Sequence, residues 1–244
     1  MSGPDWAILA VGCMLSPLPW ILYQLLSPAG RAFGTAARSF VTSQREVWLT
    51  IDDGPDPVWT PQVLDLLDHH GARATFFLIG ARVERFPEWA REIVRRGHAV
   101  ANHTMTHGSE RFWCASPGRL ATEIDGTESA LRAAGLTPAP WFRPPIGIRN
   151  PRLRSCLDAR GLKLVLWSIR GFDGAGSRPE AALRRVLPGI RPGAILLAHE
   201  GGRNAPHRMR FLTLLLERLT ADGYRCVLPA PDSLQYELPT KNPR

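Results

Sequence analysis

Two adjacent carboxylates, Asp52 and Asp53, are the first residues of this sequence that could do chemistry. They follow a strand-like apolar run, residues 47–51, and precede Gly54 and Pro55, which favour an immediate turn. Neighbouring side chains of a strand point to opposite faces, but a turn directly after the pair can bring both to one cavity. One carboxylate could then bind a metal ion while the other moves a proton. The same four residues are also common in a solvated turn, so the pair alone does not decide.

His103 and His107 form the second candidate group. On a helical turn, two imidazoles four residues apart lie on one face and reach one ion. Two histidines and one carboxylate leave a position open for water, which is typical of catalytic zinc and similar metals. Two surface histidines are the alternative. The remaining histidines are interpreted as surface or helix-end residues: His69, His70, His98 and His207.

Three more polar residues follow predicted strands. Arg143 opens a loop stiffened by two prolines, which could hold its guanidinium against a carboxylate; a plain surface turn is the alternative. His199 ends an apolar run, where its near-neutral reference pKa suits a general acid; a satisfied core histidine is the alternative. Asp173 lies past the strand that precedes this run.

Strand and helix patterns alternate between residues 46 and 228, which predicts parallel strands wrapped by helices. Seven strands are expected, at residues 47–51, 74–79, 98–101, 140–142, 162–168, 194–198 and 224–228. A barrel and a doubly wound sheet fit equally well. In both folds the carboxyl ends of the strands share one side, so the polar residues that follow them should form one cluster.

Composition indicates a globular chain, because 44% of its 244 residues are hydrophobic and 21% are charged. The net charge of +8 comes almost entirely from scattered arginines, without a basic tract or nucleic-acid motif. We therefore expect no nucleic-acid partner, and at most a weak preference for an anionic membrane face. The four cysteines have neither zinc-site nor redox-motif spacing.

Residues 6–26 carry no charge and are about long enough to span a bilayer. Membrane attachment is the favoured interpretation, with a cleaved signal or a buried helix as alternatives; the basic start of a signal peptide is missing. Arginines that follow would place the main domain in the cytoplasm if the segment spans, but the side of the membrane stays open. The predicted divisions are an apolar anchor or signal-like segment (1–30), a linker (31–45), the α/β domain (46–228) and an irregular tail (229–244).

Over about residues 45–228 the sequence resembles the NodB-type polysaccharide deacetylases, carbohydrate esterase family four. Four motifs carry the resemblance in the family's order: Thr50-Ile51-Asp52-Asp53-Gly54-Pro55, His103-Thr104-Met105-Thr106-His107, Arg143-Pro144-Pro145-Ile146-Gly147 and Leu197-Ala198-His199. The resemblance implies an irregular (β/α)7 barrel. It also implies a hydrolase that removes an N-acyl group, in the first place N-acetyl, from an amino sugar in a glycan.

The resemblance further implies roles for matching residues. Asp53, His103 and His107 would bind one divalent ion, Zn²⁺ before Co²⁺, Mn²⁺ or Ni²⁺. Asp52 would be the general base, oriented by Arg143. His199 would be the general acid, paired with Asp173. The Ile146 backbone N–H would stabilise the oxyanion, and Leu197 would contact the substrate.

The fourth motif departs from the family pattern, because Phe172-Asp173-Gly174 stands where an Asp-Trp pair is frequent. Loss of that Trp would remove an apolar wall of the substrate groove and favour a different or wider acceptor. With the apolar N-terminus, it favours an alternative substrate, a lipid-linked amino sugar that is deformylated or deacetylated. The chain could instead be a non-catalytic glycan-binding relative or a membrane assembly scaffold. A membrane or cell-envelope location follows from these expectations.

Overall fold

The computed structural model describes residues 17–27, 29–30 and 32–236. Its strands are β1 Ser39–Phe40, β2 Glu46–Asp52, β3 Ala74–Leu78, β4 Ala99–Asn102, β5 Trp141–Phe142, β6 Lys163–Leu164, β7 Ile169–Arg170, β8 Ile195–His199, β9 Arg225–Cys226 and β10 Leu234–Gln235. Its helices are α1 Leu18–Leu26, α2 Trp59–His69, α3 Gly80–Arg85, α4 Pro87–Arg95, α5 Pro117–Ala133, α6 Leu153–Asp158, α7 Pro179–Val186 and α8 Ala205–Ala221.

Strand β2 is the centre of a curled parallel sheet with the order β6-β5-β4-β3-β2-β8-β7. It pairs with β3 on one side and β8 on the other, and β9 pairs with its first residues. The register sets Asp52 opposite His199 on β8 and opposite Phe77 on β3. Two polar residues that are far apart in sequence therefore lie side by side at the carboxyl ends of neighbouring strands. The predicted irregular (β/α)7 barrel is confirmed.

Alternating side chains of β2 enter two hydrophobic clusters. Val47, Leu49 and Ile51 pack in the outer cluster beneath the helices. Trp48 points the other way into the cluster inside the barrel. A strand that is buried on both faces has apolar residues at nearly every position, which is why β2 appears as an apolar run in the sequence. Each fully buried large apolar side chain contributes about 1.5–3 kcal/mol, so this double burial fixes the strand that carries the first carboxylate.

The single strand predicted at 162–168 is wrong, because the structure has two short strands with an irregular stretch between them. β6 pairs with β5 and β7 pairs with β8; within the described residues the sheet path ends at these two strands, so the barrel is open there. The guanidinium of Arg143 explains the interruption: its Nε and Nη2 donate to the carbonyls of Val165 and Leu166. These carbonyls accept hydrogen bonds from a buried cation and not from the backbone of a neighbouring strand.

The segments interpreted as a linker and an irregular tail contain paired strands. β1 and β10 are antiparallel, and their buried residues Phe40 and Leu234 join the inner cluster. Two-residue strands carry too little periodicity to be recognised in a sequence. Thr60 lies inside α2, and its hydroxyl donates to Glu200.

The predicted membrane segment falls partly outside the described residues, which begin at residue 17. Within the described part, α1 is nine residues long. No helix in that part of the chain combines the length and apolar character needed to cross a bilayer.

Candidate active site

The turn that aligns the two carboxylates occurs at Asp53 itself. Asp53 has φ of 80°, a conformation that aspartate tolerates better than most residues. The sequence placed this bend one residue later, at Gly54 and Pro55. Gly54 is required for a different reason, because a Cβ on it would overlap Oε1 of Glu200. The glycine therefore makes room for a buried carboxyl behind the site.

Asp53, His103 and His107 form a cluster that could hold a metal ion. Their potential ligand atoms all lie within 4.8 Å of one another. Oδ1 of Asp53 is 3.4 Å from Nε2 of His107 and 3.7 Å from Nε2 of His103. Nδ1 of His103 donates to the Arg143 carbonyl at 2.8 Å, which leaves Nε2 as the nitrogen that faces the cluster. One oxygen and two nitrogens suit a divalent transition metal with a position left for water.

The segment between the two histidines is not the helical turn that the spacing suggested. Thr104 and His107 both have positive φ, 69° and 54°. Thr104 holds the loop in this shape: its backbone N–H donates to Oδ1 of Asn102, and its hydroxyl accepts from the His107 backbone N–H. The imidazoles still meet, with ring centroids 5.0 Å apart. The predicted proximity is therefore correct, and the predicted backbone is wrong.

Asp52 is held by a fully buried arginine. Nη1 of Arg143 lies 2.7 Å from Oδ1 of Asp52 and donates also to the Thr50 hydroxyl at 2.8 Å. The guanidinium carbon lies 4.0 Å from the centroid of the Phe77 ring. Burial lowers the pKa of Arg143, and the charge of Asp52 opposes this effect. The other Asp52 oxygen, Oδ2, lies 3.7 Å from Nε2 of His103 and remains directed to the cluster.

His199 and Asp173 form a second pair. Nδ1 of His199 is 3.1 Å from both Asp173 oxygens, and the His199 backbone N–H donates to Oδ2 at 2.9 Å. Burial lowers the pKa of the imidazole, but the carboxylates of Asp173, Asp53 and Asp52 together raise it by more, and the result is a pKa of about 9. His199 is consequently protonated at neutral pH.

One cavity of about 180 Å³ contains these groups. Its lining residues are Asp52, Asp53, His103, His107, Ile146, Trp167, Arg170, Phe172, Gly174, Ala175, Leu197, His199 and Arg208. Arg143 and Asp173, which do not line it, lie behind Asp52 and His199. The structure thus brings the predicted site residues together, with Ile146 and Leu197 at the wall.

The substrate groove keeps an apolar wall, although the missing Trp of the fourth motif suggested that this wall would be lost. Trp167 and Phe172 both line the cavity. A Cβ on Gly174 would lie 2.8–3.1 Å from three atoms of the His199 ring. Gly174 is therefore explained by the imidazole that packs on it, not by a wider groove.

Sequence reasoning missed Arg208 on α8. Its Nη1 donates to Oδ2 of Asp53 at 3.1 Å and to the carbonyls of Glu200 and Gly201. This contact leaves Oδ1 of Asp53 for the histidines. Arg208 is one of several arginines around the start of α8, so no local pattern distinguishes it.

Two titratable groups that are not among the predicted site residues are buried and have shifted pKa values. His98, interpreted as a surface or helix-end residue, is buried, and its Nδ1 accepts from the Ala74 N–H. Burial lowers the pKa of His98 to about 4, so it is a neutral core histidine. Burial also raises the pKa of Glu200 to about 8.

The backbone around the cavity is strained. Five non-glycine residues of the described chain have positive φ: Asp53, Thr104, His107, Ile146 and Phe172. All but Thr104 line the cavity, and Thr104 shapes the histidine loop. Each such conformation costs about 1–3 kcal/mol and persists only where the surrounding structure holds it.

The fold and the cavity together define an α/β-barrel protein with a candidate metal-hydrolase site at the carboxyl ends of its strands. Comparison with known proteins gives the family. The family described as polysaccharide deacetylase matches residues 41–165. The chain belongs to this family, the NodB-type deacetylases of carbohydrate esterase family four.

Three relatives illustrate the similarity. A chitooligosaccharide deacetylase from Bradyrhizobium sp. is 41% identical over 66% of this chain and 73% of its own length. A peptidoglycan-N-acetylglucosamine deacetylase from Bacillus cereus is 34% identical over 76% of this chain and 86% of its own length. A solved structure, the family 4 carbohydrate esterase from Streptomyces lividans in complex with acetate, superimposes with a TM-score of 0.70 and 27% identity, covering 84% of this chain and 100% of that one.

Proposed function

We propose that the protein is a metal-dependent hydrolase that removes an N-acyl group, in the first place N-acetyl, from an amino sugar in a glycan. The observation that carries the proposal is the convergence on one cavity of a metal-type cluster, a fixed carboxylate and a protonated histidine. Such groups can supply the base, the acid and the electrophile that amide hydrolysis needs. The relatives are named for chitooligosaccharide and peptidoglycan substrates, which supports the substrate class.

Asp53, His103 and His107 would hold one divalent ion, Zn²⁺ before Co²⁺, Mn²⁺ or Ni²⁺. The ion would supply acidification of a water molecule and polarisation of the acyl carbonyl. Arg208 orients Asp53 by binding Oδ2, so that Oδ1 faces both imidazoles. Arg143 orients His103 through its backbone carbonyl.

Asp52 is assigned as the general base. Arg143 fixes its Oδ1 and is itself held by Thr50, and Oδ2 stays on the cavity side to accept a proton from water. A guanidinium that holds one carboxylate oxygen keeps the base ionised and correctly aimed. Oxygen from water adds to the acyl carbon as this proton leaves.

His199 is assigned as the general acid. Asp173 occupies Nδ1, so Nε2 is the nitrogen that can donate to the leaving amine. The C–N bond then breaks, the acyl group leaves as a carboxylate and the sugar keeps a free amine. The backbone N–H of Ile146 has no acceptor among the described residues and is the proposed donor to the oxyanion. Leu197 forms part of the apolar surface on which the sugar would lie.

An alternative substrate is a lipid-linked amino sugar, which would be deformylated or deacetylated at a membrane or cell-envelope surface. Helix α1 favours it, because Leu18, Trp20, Leu22, Tyr23 and Leu26 are all exposed there. Tryptophan and tyrosine on an exposed apolar helix suit a membrane interface. A purely glycan-binding relative is disfavoured, since Asp52 and His199 both keep the partners that chemistry requires.

The test is acetate and formate release, measured by mass spectrometry, from polymeric, oligomeric and lipid-linked amino sugars, with and without a chelator. We expect about one bound divalent ion per chain and activity that the chelator abolishes. Asp52→Asn should retain the ion but lose roughly 10²-fold or more in rate, while surface Asp125→Asn retains activity. Wild-type turnover by Asp52→Asn would refute the base assignment. A chain that binds no ion and releases neither acid would refute the function.

A further inference from the structure

Arg170 lies at the cavity with an unusual set of neighbours. It ends β7, in register with Leu197 on β8, and both residues line the cavity. Its guanidinium carbon is 4.1 Å from the centroid of the Phe172 ring and 5.4 Å from that of Trp167. Both rings also line the cavity. The arginine is therefore held by aromatic faces at the substrate side of the barrel.

No carboxylate among the described residues pairs with Arg170. Arg208, which shares the cavity lining, binds Asp53, and Arg143 behind the cavity binds Asp52. For Arg170 the structure shows ring contacts only. Burial lowers its pKa, and no acidic neighbour opposes that effect. A partly desolvated cation without a counter-ion is unfavourable unless a ligand supplies one.

We infer that Arg170 binds an oxyanion, a carboxylate or a phosphate, carried by the glycan beside the acylated sugar. Stacking covers the faces of a guanidinium and leaves its N–H edges free for the bidentate contacts that carboxylate and phosphate accept. Partial desolvation strengthens such a contact. Arg170 is thus a specificity-determining residue for acidic glycans, an inference that rests on the proposed function.

The size of the cavity places the acidic group at the rim. At about 180 Å³ the cavity is smaller than the roughly 300–1,000 Å³ of sites that enclose a drug-sized ligand. It can enclose the acyl group and part of one sugar, so the neighbouring part of the substrate lies outside. Phe172 is 42% exposed and keeps positive φ, which sets its ring and the stacked Arg170 at that boundary.

The test compares acidic substrates with neutral counterparts. In the carboxylate arm, metal-loaded protein is given the disaccharide of N-acetylglucosamine and N-acetylmuramic acid, or its methyl ester. In the phosphate arm it is given N-acetylglucosamine 1-phosphate or the neutral methyl glycoside. The variants are Arg170→Gln and Arg170→Lys. Arg178→Gln is the matched control, because it removes the same charge from an exposed position outside the cavity lining.

We expect wild type to prefer the charged member of one arm by roughly tenfold or more in kcat/KM, mostly through KM, the scale of a hydrogen bond between charged groups. The responding arm identifies the group. Arg170→Gln should bring the charged-to-neutral ratio close to one, Arg170→Lys should keep part of it, and Arg178→Gln should keep all of it. An unchanged ratio in Arg170→Gln, or no preference in wild type in either arm, overturns the inference.

Calorimetric binding of the same compounds separates this inference from the proposed function. If wild type hydrolyses none of them, the proposed function fails on these substrates, but binding still tests Arg170. Tighter binding of a charged compound by wild type, lost in Arg170→Gln and kept in Arg178→Gln, supports the anion site. Equal binding of charged and neutral compounds by wild type refutes it.

Discussion

Asp173→Asn tests whether His199 acts as the general acid. In the wild-type protein burial lowers the pKa of His199, while three carboxylates, Asp173 foremost with Asp53 and Asp52, together raise it to about 9. The amide keeps the shape of the carboxylate but removes its charge. With the main raising influence gone, we expect the pKa of His199 to fall toward its ordinary value of 6.5.

The expected loss depends on pH. A general acid works in its protonated form, so its contribution is present below its pKa and is lost as the pH rises through it. At pH 8 about 90% of His199 is protonated with a pKa of about 9, but only about 3% with a pKa of 6.5, a factor of roughly 30. At pH 6 the two fractions are about 100% and about 75%, so most of this difference disappears.

The assay is acetate release by metal-loaded protein, with kcat/KM measured across the neutral and alkaline range. The alkaline limb should move from near pH 9 in wild type to lower pH in Asp173→Asn. Asp125→Asn is the control, since it removes a carboxylate that pairs with Arg160 at the surface. An equal loss at every pH, with the limb unmoved, would refute the proton-donor assignment and leave Asp173 with a purely positioning role.

Three further predictions concern residues around the cavity. Gly174→Ala should fold normally, as judged by circular dichroism, yet lose about tenfold or more in kcat, because its Cβ displaces the His199 ring; full activity would contradict the close packing. Arg208→Gln should weaken metal binding about tenfold in chelator competition, because Asp53 loses the partner of Oδ2; tighter binding would mean that the arginine competes with the ion. Glu200→Gln should raise the free energy of unfolding in denaturant titrations at neutral pH but not near pH 4. At pH 7 the folded wild-type protein keeps a proton on Glu200 that the unfolded chain releases, which costs about 3 kcal/mol. If the free energy of unfolding depends on pH equally in wild type and variant, Glu200 is ionised in the folded protein.

The sequence predicted the residues whose position depends on a strand end. Asp52 and His199 each end a recognisable apolar run, and parallel pairing places such ends together. The resemblance to the family then assigned one carboxylate of the adjacent pair as general base and the other as metal ligand, a choice that spacing alone left open. Its fold is confirmed, while the roles of the individual site residues stay predictions.

The sequence failed where one side chain changes the backbone of a distant segment. The stretch 162–168 has the composition of a strand, yet Arg143 binds its carbonyls and divides it. Arg208 reaches Asp53 across 155 positions without any local signal. Gly174 suggested the loss of an apolar wall of the substrate groove, because the His199 ring that packs against it is distant in sequence. Each miss is a tertiary contact that overrides a local pattern.

The left-handed backbone at the cavity has a consequence for engineering. Glycine adopts positive φ readily, so replacing Ile146 or Phe172 with glycine would relieve strain, and both side chains are well exposed. A selection for heat tolerance alone would therefore favour changes at the wall that meets the substrate. Variants that gain thermal resistance here would lose selectivity first, whereas stabilising substitutions placed on the helices would leave the binding surface intact.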